Sequence, residues 1–362
     1  MSSPTEVVRY LLRTSLLDER QILEGDLRID EVSRRNLSYR IQSRHGPCYF
    51  VKQGLGVDGR RFVAREGAIY RRLCSPDVPN DLRLALPRFY AYEEADGLLV
   101  LGLSPGSSSL QEFHARRGRI PKTVASATGR ALAGLHRVPA PTPTDTPGPT
   151  ARPAWPLSLH RPDVRLLRNA SGASLEMVRM IQEFPDFCRL LEDLRGEWNP
   201  TALIHFDWKA DNCVIAQDAE RPREYRLQMV DWEAAGPGDP CWDVGSVFGD
   251  YLGLWLVTIP VLPDTPPARF IGLTRFPLDR MAPAIRAFWS EYAAAAGLDA
   301  QERHAVLLRS MRYSAARLLQ AAYERMQTSP RVTGNVVCML QLAWNILERP
   351  DEAAASLMGL AV

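Results

Sequence analysis

Apolar residues in this chain recur at two different periods, and the dominant period changes along its length. Val8, Leu11, Leu12, Leu16 and Leu17 recur at helical spacing and predict an opening helix over Val7–Leu23. The period then shortens. Ile29–Gln42 predicts two strands joined at Ser33–Asn36, and Cys48–Gly54 predicts a third. Phe62–Leu73 predicts a helix, and Leu84–Tyr92 and Gly97–Leu103 predict two further strands. The last of these is an almost unbroken apolar run, as a buried strand requires. From Val124 onward helical spacing dominates. Val124–His136, Ser171–Glu197, Met281–Ala296, Glu302–Met326 and Val332–Leu347 all predict helices, with Pro185 dividing the second of them. Strands return only in Leu203–Ile215, which reads as strand, polar loop and strand, and in the run that ends at Asp231. Strands followed by helices indicate an α+β chain. Residues 1–103 form a strand-rich lobe with an opening helix, and 104–362 form a helical lobe.

Two segments interrupt this pattern. Residues 138–162 are rich in proline, which excludes helix and central strand and predicts an extended surface excursion. Residues 254–276 mix prolines with Trp255, Ile259, Val261, Phe270, Ile271 and Phe276, and read as a loop packed mostly on the helices. No internal repeat is present.

Composition narrows the classes. At 362 residues and 46% hydrophobic the chain can bury a large core. A net charge of +2 gives no electrostatic case for nucleic acid. Six scattered cysteines without a C-x-x-C pair argue against zinc and against a disulfide framework. The most apolar run, Gly253–Leu262, is broken by Pro260 and too short to span a bilayer. The opening M-S-S-P-T-E carries no signal-peptide pattern, so a cytoplasmic location is expected. Positive charge is almost all arginine. Lys52, Lys122 and Lys209 are the only lysines, which makes a lysine at a motif position informative.

Candidate chemistry concentrates in two stretches. In L-I-H-F-D-W-K-A-D-N-C-V-I (203–215), His205, Asp207 and Asn212 follow an apolar lead. In M-V-D-W-E (229–233), a second apolar run ends on Asp231. An aspartate or asparagine after such a run is ordinarily a turn. Two such motifs, in this order and at this separation, ask for more than turns.

Together they resemble the protein-kinase-like phosphotransferases, and their aminoglycoside phosphotransferase branch in particular. That family carries a catalytic loop H-x-D-x-x-x-x-N and then an apolar pair followed by Asp. The resemblance implies a bilobal kinase-like fold and phosphoryl transfer from ATP with Mg²⁺. Asp207 is then the base that accepts a hydroxyl proton, and Asn212 and Asp231 hold Mg²⁺ through hard oxygens. His205 orients the loop from beneath. Lys52, in the strand C-Y-F-V-K-Q-G, matches the lysine that bridges the first ATP phosphates, and Glu66 on the next helix matches its carboxylate partner. The S-R-R-N-L-S-Y-R turn lacks the glycines of protein kinases but resembles the Ser/Asn flap of aminoglycoside-kinase relatives, so Asn36 and Ser38 are candidate phosphate contacts. The backbone at Leu101–Leu103 is the candidate adenine contact. The helix G-R-A-L-A-G-L-H resembles the family's early C-lobe helix. G-P-G-D-P-C-W-D-V-G resembles its G-x-P-x-x-D-L-A segment, in which Asp243 ties down the catalytic loop. The ordered resemblance spans Ile29–Phe248, with 229–243 as the metal-binding segment.

The acceptor is less defined. Lys209, in D-x-K-x-x-N, stands where Ser/Thr protein kinases carry lysine and aminoglycoside kinases commonly carry histidine. A lysine there can bond both the base and the departing phosphate. Arg161, Arg165, Arg168, Arg269, Arg275 and Arg280, in segments expected to line the acceptor site, suit an acidic or neutral acceptor. The favoured acceptor is a peptide Ser/Thr hydroxyl, as in ribosomal peptide natural-product biosynthesis, where a partner lyase eliminates the phosphate. A small-molecule kinase of an antibiotic, sugar or amino alcohol is the alternative. A pseudokinase that only binds a partner is disfavoured by the joint presence of Lys52, Glu66, Asp207, Asn212 and Asp231.

Overall fold

A computed structural model describes residues 3–33, 35–139, 151–168, 170–217, 225–260 and 271–360. The proline-rich stretch expected over 138–162 lies outside the described residues at 140–150, as does Arg269.

The chain begins with two short helices rather than the single expected one: α1 (Pro4–Arg13) and α2 (Glu19–Leu23). The break is local chemistry. Thr14 Oγ1 bonds back to the Tyr10 and Leu11 carbonyls, Ser15 takes a positive φ of 57°, and Asp18 starts α2 with a capping box closed by Gln21.

A five-stranded antiparallel sheet follows, in the order β1-β2-β3-β5-β4. Its strands are β1 (Leu27–Glu31), β2 (Leu37–Ser43), β3 (Cys48–Gln53), β4 (Phe89–Glu93) and β5 (Leu98–Leu103). Helix α3 (Gly56–Leu73) intervenes after β3. The run expected as one strand over 84–92 instead ends a short helix, α4 (Asn80–Leu84), and enters β4 only at Phe89. Pro87, which has no N–H to give a sheet, separates the two.

Alternation gives the sheet two unlike faces. Tyr39, Ile41, Tyr49, Val51, Leu98 and Val100 pack with Val7, Tyr10, Leu11 and Leu17 in a small core under α1. The register puts Ser38, Lys52 and Leu99 side by side on the opposite face, and Leu99 there joins the main core. Lys52 is therefore aimed at the helical part by strand parity alone.

After Leu103 the chain is mainly helical, with α5 (Leu110–Arg117), α6 (Lys122–His136), α7 (Val164–Arg168), α8 (Gly172–Gln182) and α9 (Pro185–Gly196). Pro185 does divide the 171–197 stretch, sitting in the first turn of α9. Three short strands carry the polar loops: β7 (Ala202–Ile204), β8 (Cys213–Gln217) and β9 (Tyr225–Met229). β8 pairs with β9 and with β6 (Ser108–Ser109), and β7 pairs with β10 (Gly236–Gly238). Helix α10 (Pro240–Val257), capped by Asp239, reaches into the stretch expected as loop from Leu254. Trp255, Ile259 and Phe276 of that stretch are buried, as packing on the helices requires. Helices α11 (Leu278–Ala295), α12 (Ala300–Met326), α13 (Gly334–Glu348) and α14 (Pro350–Met358) complete the main core; the last was not foreseen. The architecture is α+β, with an antiparallel sheet first and a larger helical part after it. No helix among the described residues is long and apolar enough to cross a membrane.

Leu11 is fully buried where α1 meets the sheet. Leu11→Ala should cost about 2–5 kcal/mol, the usual range for a core leucine truncation, read as a lower denaturant midpoint with an unchanged slope. A loss under about 0.5 kcal/mol, the range of surface substitutions, would mean α1 is not part of the folded core.

Candidate active site

Strand β3 delivers Lys52 into a cluster of carboxylates. Its Nζ lies 2.8 Å from Glu66 Oε2 on α3, 2.7 Å from Asp231 Oδ1 and 3.2 Å from Glu233 Oε2. Lys52 and Glu66 are buried, whereas the Asp231 side chain is 37% exposed. Burial by itself would lower the Lys52 ammonium's pKa, but Glu66 first, then Asp231 and Glu233, raise it above its ordinary value. Burial pushes Glu66 upward and Lys52 only partly offsets this, because Asp231 and Glu233 add negative charge nearby. One ammonium facing three carboxylates leaves two negative charges unmatched when all are ionised. Arg35, at the tip of the β1–β2 turn, meets the far oxygen of Glu233 at 3.3 Å from the solvent side.

This is a donor set that suits a hard divalent cation. One oxygen each from Glu66, Asp231 and Glu233 lies within 4.8 Å of the others. Asp231 holds its place with a left-handed backbone, φ 65° and ψ 55°, which is uncommon for a residue with a side chain.

The second half of the site is the loop after β7. Asp207 Oδ2 accepts from Lys209 Nζ at 2.8 Å and from Asn212 Nδ2 at 3.1 Å. Asn212 Nδ2 also bonds the Asp207 carbonyl at 2.8 Å, which leaves the amide oxygen as the free end for a cation. Burial would raise the Asp207 pKa, but Arg317 and Lys209 hold it below the ordinary carboxylate value. Burial opposes the charge on Lys209 too, and Asp207 more than restores it.

The two halves are joined by main chain. The Val230 amide donates to the Asn212 carbonyl at 2.9 Å, and the Val230 carbonyl meets His205 Nε2 at 3.0 Å. His205 is fully buried against Trp232, with ring centroids 4.6 Å apart, so it props the loop from below. Asp243, at the start of α10, accepts from the His205 amide at 2.7 Å and the Phe206 amide at 3.0 Å. It also meets His136 Nε2 of α6 at 3.3 Å. Phe206 takes a φ of 73°, a strained conformation that these bonds hold in place.

The remaining sequence-predicted positions divide. Ser38 lies directly across from Lys52 in the sheet register and shares its face. Asn36 is buried, with Oδ1 packed toward Gly59 in the first turn of α3. Leu101 and Leu103 need correction as backbone contacts for a base. β5 lies between β3 and β4, and the Gly102 amide donates to the Arg88 carbonyl. By alternation the backbone groups of Leu101 and Leu103 point to β3, where they pair opposite Phe50 and Cys48. The chain leaves the sheet only at Ser104. The arginines expected at the acceptor site lie on the surface wherever they are described. Arg161, Arg168, Arg275 and Arg280 are all exposed, Arg161 sits 4.0 Å from Glu192, and Arg275 bonds the Ala115 carbonyl. The Arg165 side chain and Arg269 lie outside the described residues.

Several residues were missed. Glu233 was visible two places after Asp231 but was given no role. Asp250 of α10 accepts from the Ala210 amide at 3.4 Å. Burial, with Asp211 adding to it, pushes its carboxyl up to about 6. Arg317 of α12 reaches within 3.6 Å of Asp207. Its sequence signal is a polar stripe, Ser310, Ser314 and Arg317, at helical spacing on the buried face of the helix.

The model of the phosphotransferase enzyme family matches residues 26–283. No curated protein matches the chain. A choline kinase from Streptococcus pneumoniae aligns at 14% identity over 96% of this chain and 99% of its own, with a TM-score of 0.48. The macrolide 2'-phosphotransferase of Brachybacterium faecium aligns at 15% over 94% and 98%, with a TM-score of 0.46. An ADP-bound aminoglycoside phosphotransferase aligns at 12% over 95% and 99%, with a TM-score of 0.49.

Asp243→Ala would leave two buried amides unpaired and should destabilise the chain by about 2–4 kcal/mol in thermal or chemical denaturation. Unchanged stability would show that these bonds do not hold the loop. Asp250 keeps its proton to about 6 in the folded chain against an ordinary 3.8, so the folded state binds more protons between those values. Its favourable contribution is therefore present at low pH and lost as pH rises through 6. Relative to Asp250→Asn, the wild type should lose stability between pH 4 and pH 7; a flat difference contradicts this.

Proposed function

The chain belongs to the phosphotransferase enzyme family, and from that premise we propose that it transfers the terminal phosphate of Mg²⁺-bound ATP to an alcohol. One observation carries the reading. A lysine from the sheet and two carboxylates of the second motif converge within 3.2 Å, main-chain bonded to the loop that bears Asp207. Lys52, held by Glu66, is the cation for the inner phosphates. Ser38, on the same face, is the flap's candidate contact to them. Asp231, with Asn212 and Glu233, would hold Mg²⁺, which neutralises phosphate charge when bound.

Asp207 receives the proton of the acceptor hydroxyl as its oxygen bonds to the terminal phosphorus. The bond from that phosphorus to the bridging oxygen breaks, and ADP carries away the electron pair. Lys209 is placed to turn from Asp207 to the transferred phosphate as charge develops there. The pseudokinase reading has no support in this arrangement, since each charged group the reaction calls for has a partner in the same cleft.

Two acceptor classes each have an observation behind them. A small-molecule alcohol bearing a positive charge is favoured by the carboxylates near Lys209: Glu324 acts on Lys209, and Asp211 and Lys209 both act on Asp250. A peptide Ser/Thr hydroxyl, with a partner lyase acting afterwards, is favoured by the Lys209–Asp207 pair at 2.8 Å. Between the two, the carboxylates gathered near Lys209 move our preference to the small molecule.

Asp207→Asn should lower ATP-dependent phosphorylation by about 100-fold or more, the usual scale for a general base, while ATP still binds. Transfer at the wild-type rate in this variant would end the mechanism. A panel of amino alcohols and Ser/Thr peptides, read by mass gain of one phosphate, decides the acceptor. Phosphorylation confined to peptides would reverse our preference.

A further inference from the structure

Arg317 stands behind Asp207 on α12, beyond residue 283 where the family match ends. Its side chain is only 8% exposed. Nη1 lies 3.6 Å from Asp207 Oδ1, and Nη2 donates to the Trp208 carbonyl at 3.3 Å. The guanidinium lies 5.9 Å from the centre of the Trp242 ring. Its place depends on a glycine. A Cβ at Gly249 of α10 would come 2.7 Å from Arg317 Cβ, so glycine there, like Gly245 one turn earlier against Tyr313, lets the two helices approach this closely.

The two oxygens of Asp207 are not equivalent. Oδ1 is fully buried and makes no hydrogen bond, and neither does Arg317 Nη1, which faces it. Oδ2 takes both Lys209 and Asn212. With 27% of the side chain exposed and none of that on Oδ1, Oδ2 is the oxygen an incoming hydroxyl can reach. A free carboxylate turns easily about its terminal torsion, which is broad and two-fold. A guanidinium whose charge faces Oδ1 at 3.6 Å while it bonds the next residue's carbonyl opposes that turn. Lysine, a single point of charge, can answer only one of the two.

We infer that Arg317 is a positioning residue for phosphoryl transfer: it fixes the rear oxygen of Asp207 so that Oδ2 stays turned to the acceptor. The inference rests on the reading of Asp207 as the base, and the assay separates the two. Mg²⁺-dependent ATP hydrolysis, with water as acceptor, is measured for wild type, Arg317→Ala, Arg317→Lys and Asp207→Asn, with ATP affinity from calorimetry. Arg317→Ala should lose about 10- to 100-fold in kcat, the scale of a misplaced reacting group, with ATP affinity and KM nearly unchanged. Arg317→Lys should fall between it and wild type. Millimolar guanidinium should restore part of the activity of Arg317→Ala and none of that of Asp207→Asn. Wild-type kcat in Arg317→Ala overturns the inference while the base survives. So does a loss that guanidinium does not rescue and that takes ATP affinity with it. Wild-type hydrolysis by Asp207→Asn overturns the base itself, whatever Arg317 does. If Arg317→Ala does not fold, Arg317→Lys decides: reduced kcat at unchanged KM supports the role, and wild-type kcat removes it.

Discussion

The ion cluster at Lys52 is the constraint around which the rest of the structure is arranged. An ammonium this buried is unfavourable unless it is paired and hydrogen-bonded. Lys52 meets that condition three times over, with Glu66, Asp231 and Glu233. The partners come from α3 and from the chain just after β9, so the pairing spans the sheet and the helical part. Such a pair is weak evidence for stability, because desolvation takes back most of the Coulomb gain. On the proposed function, its excess of carboxylate over ammonium is preparation for a cation, which brings the missing positive charge.

The second half of the site depends on hydrogen bonds to the main chain as well as on charge. Asp243 meets two successive amides and a histidine, and is itself inaccessible to water. That satisfies the positive-φ turn at Phe206, which would otherwise leave donors unpaired in the interior. The exchange between Val230, Asn212 and His205 then locks this turn to the segment bearing Asp231. Charge chemistry and loop geometry are thus coupled through a few backbone bonds rather than through side-chain contacts alone.

Much of this was legible in the sequence, and the reason is specific. Strand parity and the two motifs carry local information: a residue one place off would face the wrong side of the sheet or miss the loop. Lys52, Glu66, Asp207, Asn212 and Asp231 were found for that reason, and they assemble into two adjoining clusters. What failed depended on long-range packing. Leu101 and Leu103 sit in an apolar strand whose hydrogen-bonding side is set by which neighbours flank it, and no local pattern gives that order. The opening helix broke because Thr14, Ser15 and Asp18 offered the backbone a turn, a contest that apolar spacing alone does not register. The arginines of the helical part were assigned a pocket by position in the chain, yet the described ones belong to the surface.

On the proposed function, acceptor selection follows from a difference in how the two clusters are built. The half assigned to the nucleotide takes its groups from the sheet, α3 and the two motifs. The acceptor half is supplied from elsewhere: Asp250 from α10, Arg317 and Glu324 from α12, converging on Lys209 and Asp207. These helices pack closely, with Gly249 letting them meet, so a substitution on either one shifts charge beside the base without touching the nucleotide half. A chain built this way can change what it phosphorylates while keeping how it phosphorylates. On that reading acceptor choice lies largely in helix packing, where residues distant in sequence meet beside the loop.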